Sequence, residues 1–297
     1  MDGILALWKP RGMTSHDCVM KIRKLYKTKK VGHTGTLDPE VEGVLPICIG
    51  QATKIVPYLT ETKKVYIAEI MLGSATETED SYGKIIEKVD VKEIPSKQNI
   101  ENVLQSFKGD IVQIPPMYSA VKVNGKKLYE YARANQYVER PKRTVTIYDI
   151  KRLPNEKNDP RYISMEVVCS KGTYIRTLCV DIGKELGFPA HMSDLVRIET
   201  GSFTRDETVD FHEIEQAVDE GKQAELLLPI VSGLSHLESF RVDESTKRKV
   251  LVGQKLAKPE TIRSTKPFVI MYGKQLLAIY QVHPNNPDEI KPVRVFS

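Results

Sequence analysis

Between Val31 and Gly50 the chain reads Val-Gly-His-Thr-Gly-Thr-Leu-Asp-Pro-Glu-Val-Glu-Gly-Val-Leu-Pro-Ile-Cys-Ile-Gly. Gly32, Gly35 and Gly43, with Pro39 and Pro46, punctuate the backbone with special dihedrals and missing donors. The stretch therefore reads as a shaped loop rather than a helix or strand. Asp38 precedes a proline, which pushes its backbone towards the extended region and aims its carboxylate. His33, Thr34 and Thr36 supply donors nearby, while Leu37, Val44, Leu45, Ile47 and Ile49 anchor the segment to a core. Asp38 is thus a candidate catalytic carboxylate, although Asp-Pro is also an ordinary turn dipeptide. The spacing of a nucleotide-triphosphate loop is absent, and no Lys follows Gly35.

A chain of 297 residues can bury a large core and supports more than one domain. No run approaches the ~18 apolar residues of a membrane span, and the apolar start Ile4–Trp8 is too short for a signal sequence. The reading is a soluble, cytoplasmic protein. Cys18, Cys48, Cys169 and Cys179 show neither paired spacing nor a histidine at ligand spacing, so they read as small buried apolar residues and no metal is expected. The formal charge is +5, unevenly spread: residues 1–64 carry 11 Lys+Arg against 6 Asp+Glu, and residues 241–297 carry 11 against 5. Two basic ends suit two contact regions on one polyanion. Lys27, Lys29 and Lys30, just before the glycine-rich stretch, are placed to hold phosphates near Asp38.

Gly3–Trp8 reads as a buried strand, and Thr14 with Asp17 as a capping box for a helix whose apolar face holds Val19, Ile22 and Leu25. Its other face carries Lys21, Arg23, Lys24 and Lys27. Lys63–Gly73 has strand chemistry, with Tyr66, Ala68 and Ile70 on one face. Ile100, Val103, Leu104 and Phe107 predict a helix capped by Ser96 and ended by Gly109. Asn124-Gly125 marks a hairpin. Strands are expected at Arg143–Arg152 and Arg161–Cys169, followed by a bend at Gly172 and a helix through Leu186 that stops at Gly187. Asp210 and Glu213 cap a helix over Phe211–Asp219. From Phe240 the composition turns basic and strand-like, with a turn at Gly273-Lys274.

Gly-His-Thr-Gly-Thr-Leu-Asp-Pro with Gly-Val-Leu-Pro after it resembles the signature of the TruB family of tRNA pseudouridine synthases. Further matches are Lys-Pro-x-Gly at Lys9–Gly12, Lys-x-Tyr at Lys64–Tyr66, Pro-Pro-x-Tyr-Ser-Ala-x-Lys at Pro115–Lys122, and Gly-Thr-Tyr-x-Arg-x-Leu at Gly172–Leu178. The resemblance implies that Asp38 is the essential catalytic residue and that Arg176 pairs with it. It implies that Tyr66 lies against the target base, its hydroxyl a candidate proton acceptor, and that Tyr174 stacks on or hydrogen-bonds the uracil. Leu195 would supply an apolar wall, Lys9 would order the site, Asp80 would play a secondary part, and His33 would fill the gap left in the RNA loop.

The resulting expectation is an α/β (α+β) fold: a mixed, mainly antiparallel sheet with flanking helices over residues 1–238, and a small β-rich, PUA-like RNA-binding domain over 239–297. Its expected activity is the isomerisation of uridine to pseudouridine at position 55 of the tRNA T-arm loop, by base flipping, with no cofactor, guide RNA or membrane, and as a monomer. Two other readings stay open on sequence grounds, a non-catalytic module that remodels the tRNA elbow and a guide-dependent synthase.

Overall fold

Gly3–Lys9 (β1) is apolar as far as Trp8, and in the computed structural model, which describes residues 1–263 and 265–296, nearly all of it is buried. Burial on both faces is what such a run demands, in contrast to the alternation of a half-exposed strand. The next segment caps α1 (Ser15–Leu25): Asp17 N–H donates to Thr14 Oγ1 at 3.0 Å, and Thr14 N–H donates to Asp17 Oδ2 at 2.9 Å. Val19 and Ile22 on its inner face pack against Leu5, Leu7, Leu45 and Ile47. Leu25, the third residue of the anticipated face, is only partly buried.

The glycine-rich stretch departs from the expected loop. Val31–His33 (β2) and Glu42–Ile49 (β3) are strands, and only 34–41 is irregular. β3 pairs antiparallel with β1 along its length, Ala6 facing Pro46. Its other edge meets a partner at Glu42 and Gly43 and meets β2 at Ile47 to Ile49. Between them lies a gap, into which Val44 points its carbonyl. Pro46, two residues on, faces the same way, so its missing N–H falls where no ladder bond is needed. Gly43 is equally specific: φ is +130°, and a Cβ there would lie 2.2 Å from the Arg197 carbonyl oxygen. Gly43→Ala is expected to cost about 3 kcal/mol or more, because backbone meets backbone and neither can yield. A urea titration followed by circular dichroism checks this.

After a short turn of helix and α2 (Val56–Thr60), β4 (Lys64–Leu72) alternates strictly between buried and half-buried residues. Ser74–Thr76 (β5) and Ile85–Lys88 (β6) form a small hairpin. α3 (Lys97–Ser106) starts at Ser96, whose hydroxyl accepts from Asn99 N–H, and leads into β7 (Gly109–Gln113). β8 (Lys122–Val123) and β9 (Lys126–Lys127) close around Asn124 and Gly125 at φ +51° and +82°, both positive as a tight hairpin turn requires. α4 (Leu128–Arg133), β10 (Arg143–Arg152), β11 (Tyr162–Cys169), α5 (Ile175–Glu185), β12 (Ala190–Thr200), β13 (Phe203–Thr204) and α6 (Phe211–Asp219) complete this part.

The main sheet runs in the order β1, β3, β12, β4, β11, β10, β7, with β2 beside β3 and β13 beside β12. Among the described residues its neighbours are antiparallel except β12 with β3. α3 and α5 cover one face, where Ile100, Leu104, Leu178 and Ile182 meet Ala68, Ile70, Met165 and Val167. This matches the expected mixed, mainly antiparallel sheet with flanking helices. A second sheet follows, built from β14 (Ser239–Arg241), β15 (Leu256–Ala257), β16 (Phe268–Tyr272), β17 (Gln275–His283) and β18 (Asn286–Val295), with α7 (Glu244–Leu251) against it. Its inner residues Val269, Met271, Ile279 and Phe296 share one cluster with Ile4, Ile55 and Leu59.

Candidate active site

Asp38 sits at the tip of the irregular segment, and both its neighbours are pinned. Lys9, from the end of β1, is fully buried, and its ammonium donates to the carbonyls of Pro10 at 2.8 Å, Pro39 at 3.0 Å and Val41 at 2.7 Å. Three donors meet three acceptors, which is the whole capacity of a lysine. Burial lowers its pKa below the ordinary lysine value. On the other side of Asp38, Ser15 Oγ accepts from Leu37 N–H at 2.9 Å and donates to Leu37 O at 3.1 Å. Lys9→Met would leave three carbonyls short of a donor. It is expected to cost about 2–4 kcal/mol of stability in a denaturant titration and to slacken the segment around Asp38.

Arg176 reaches Asp38 from the first turn of α5. Its side chain is 6% exposed, whereas that of Asp38 is 43% exposed, so a buried cation holds a carboxylate that faces outward. Nη2 lies 3.0 Å from Asp38 Oδ2 and donates to Tyr118 O at 2.9 Å, while Nη1 donates to Thr78 O at 2.9 Å and stands 3.9 Å from Asp80 Oδ2. The fork is therefore shared among three segments rather than spent on one carboxylate. Asp80 is itself fixed, accepting from Thr78 Oγ1 at 2.6 Å and Tyr82 N–H at 3.0 Å. The start of α5 is held by Gln113, which donates to Tyr174 O and accepts from Tyr174 N–H.

Asp38, Asp80, Arg176 and Leu195 line one groove of about 280 Å³, with Tyr82, Tyr118 and Met192 completing its walls. That is close to the lower end of small-molecule clefts, ~300–1,000 Å³. Arg11 and Asp194 bridge part of its rim at 2.7 Å. The other anticipated residues do not line it. Lys9 is beneath the loop. Tyr174 is at the N-cap of α5. Tyr66 is packed in the core and 9% exposed, below the groove rather than on its wall, and burial raises its pKa. His33 ends β2, its Nδ1 accepting from Gly35 N–H at 3.3 Å; burial lowers its pKa, with Arg197 and His16 adding to the effect.

Arg197 carries no signal in the sequence. Yet it is 2% exposed and fills the gap beside β3: Nε donates to Val44 O at 2.8 Å and Nη2 to Gly35 O at 3.1 Å. It ties together the segment before Asp38 and the proline-bearing strand. On α1, Lys21 is engaged, 2.7 Å from Glu215 and 4.2 Å from the centre of the Phe211 ring, whereas Lys24, and Lys27, Lys29 and Lys30 just beyond the helix, are exposed. All four cysteines are buried with free thiols.

A family model described as TruB family pseudouridylate synthase (N terminal domain) matches residues 23–175, a span that includes Asp38 and Tyr66, and a tRNA pseudouridylate synthase B C-terminal domain model matches residues 176–235. The chain belongs to the TruB family. A tRNA pseudouridine synthase B of Oceanobacillus iheyensis is 60% identical over 299 residues, covering 100% of this chain and 98% of the relative. One from Bacillus subtilis is 52% identical over 301 residues, covering 99% and 97%. Among solved structures, a Cbf5-Nop10-Gar1 complex aligns at a TM-score of 0.76 and 29% identity, covering 99% of this chain and 83% of that one. An H/ACA RNP bound to a substrate RNA containing 2′-deoxyuridine aligns at 0.76 and 26%, covering 99% and 85%. The TruB motifs thus lie where the groove is built, with Asp38 and Arg176 brought together from 138 positions apart in sequence.

Proposed function

We propose that this chain isomerises uridine to pseudouridine in the T-arm loop of tRNA, without guide RNA, with Asp38 as the catalytic carboxylate and Arg176 as the residue that positions it. The observation that carries the reading is the outward-facing Asp38 carboxylate, 3.0 Å from a buried guanidinium, in a groove walled by Leu195 and Met192. In the reaction the N1–C1′ bond breaks, the uracil turns, and C5 bonds to C1′. The C5 hydrogen leaves as a proton and N1 acquires one, so atoms balance without a cofactor. Attack on the base, attack on C1′ and a glycal route all need a carboxylate at the sugar–base junction. A stacked uracil cannot present that junction, so the nucleotide must leave the loop at a cost of a few kcal/mol, offset by phosphate contacts and burial of the base.

Leu195 and Met192 give the extruded ring an apolar wall, and Tyr66 and Tyr174 lie under the site as its aromatic support. Asp80 holds the other side of the Arg176 fork. His33 enters the space the uridine vacates, and the exposed lysines 24, 27, 29 and 30, with the C-terminal sheet of β14 to β18, contact phosphates. The chain acts as a monomer. The deciding experiment incubates the purified protein with unmodified tRNA and no other RNA, then maps pseudouridine by mass spectrometry of nuclease fragments. One pseudouridine in the T-arm fragment is expected; an unmodified T-arm would overturn the reading.

A further inference from the structure

A second cavity, of about 330 Å³, lies away from the Asp38 groove, where the β10–β11 connection folds over the N-terminal end of α3. Lys97, Arg152 and Lys157 line it, and no carboxylate does. Lys157 is neutralised by Glu69, which also accepts from Ser193 Oγ. Of the acids on the same loop, Asp159 is committed to Arg161 at 2.6 Å, and Glu156 is exposed and not part of the lining. Arg152 and Lys97 are different: among the described residues neither side chain has a hydrogen bond or ion pair, and Arg152 Nε is buried without a partner. An orphaned guanidinium donor in a cavity costs free energy until an acceptor arrives.

The walls narrow the acceptor's identity. Guanidinium, ammonium and the opening turn of a ten-residue helix together select an anion, and the planar fork suits phosphate oxygens. The remainder is apolar or flat: Pro95, Pro160, Ile163 and the Tyr162 ring, over which Lys157 lies at 4.1 Å from the centroid. Asn155 braces the loop by donating to the carbonyls of Asp159 and Tyr162, so the flat wall is built rather than incidental.

We infer that this cavity binds a nucleotide unit, its phosphate on Arg152 and Lys97 and its base against Tyr162 and Pro160. The unit is either a free mononucleotide or one residue of an RNA that also occupies the Asp38 groove. The two sources share one chemistry and separate in one experiment. Uridine 5′-monophosphate and tRNA are each titrated into the full chain and into the double variant Arg152→Gln, Lys97→Gln, by calorimetry and filter binding respectively. Loss of mononucleotide affinity by about tenfold or more with unchanged tRNA affinity assigns the site to a free nucleotide. Weaker tRNA binding, with the salt slope reduced by about 2, assigns it to RNA. Lys97→Glu, at an exposed position, repeats the test without touching the fold. Equal binding of both ligands by wild type and variants would overturn the inference.

Discussion

Asp38→Asn is expected to lower pseudouridine formation by about four orders of magnitude or more while leaving tRNA affinity within about twofold. The side chains are isosteric, and the amide oxygen can still accept from Arg176 Nη2, now 3.0 Å from Oδ2, so the segment hung on Lys9 and Ser15 keeps its shape. What the amide cannot do is attack the sugar–base junction or assist its cleavage as a carboxylate does. The measurement is release of tritium from C5 of labelled uridine in tRNA, alongside filter binding of the same RNA. Turnover within a hundredfold of wild type would remove Asp38 from the chemistry. Loss of both binding and turnover would show instead that its role is to hold the loop.

Arg176→Lys should lower the single-turnover rate by about a hundredfold or more, with a smaller effect on tRNA affinity, because displacement of a catalytic group by ~1 Å can cost that much. The guanidinium serves Asp38, Thr78 O and Tyr118 O at once. A lysine ammonium has three donors but no planar spread, and from the same backbone position it can satisfy the two carbonyls or the carboxylate, not all three. A buried carbonyl left without a donor costs about 1–3 kcal/mol, so the variant should also unfold at lower urea. A normal rate with reduced stability would separate Arg176 from Asp38 and leave it a purely structural residue.

The local signals in the sequence translated well where they are local in physics. The box at Thr14 and Asp17, the cap at Ser96, the Asn124-Gly125 turn and the box at Asp210 and Glu213 all form as their spacing demands. The strand Glu42–Ile49 was hidden, because glycine and proline argue against a strand unless the neighbouring edge is known to be open at Pro46 and crowded at Gly43. The pairing of Asp38 with Arg176 came only with the family pattern. The parts of Lys9 and Arg176 likewise came only with the family pattern, because both are satisfied largely by backbone carbonyls, which every residue possesses and no sequence distinguishes. Arg197 is the extreme case, a buried cation whose role is set by a gap between two strands. Tyr66 was expected against the target base on the strength of the family pattern, whereas β4's alternation turns its ring into the core with Ala68 and Ile70.

The carboxy-terminal strands are joined to the rest by more than a tether. Lys54 donates to Val295 O at 2.6 Å with its ammonium near the Phe296 ring, and Ile4 and Leu59 lie in the same cluster as Val269 and Ile279. The polypeptide's opening strand is thereby sealed by its closing ones, so a force on the closing strands is geared directly to the bar from which Lys9 suspends the Asp38 loop. A load applied there travels through solid hydrocarbon, not slack string.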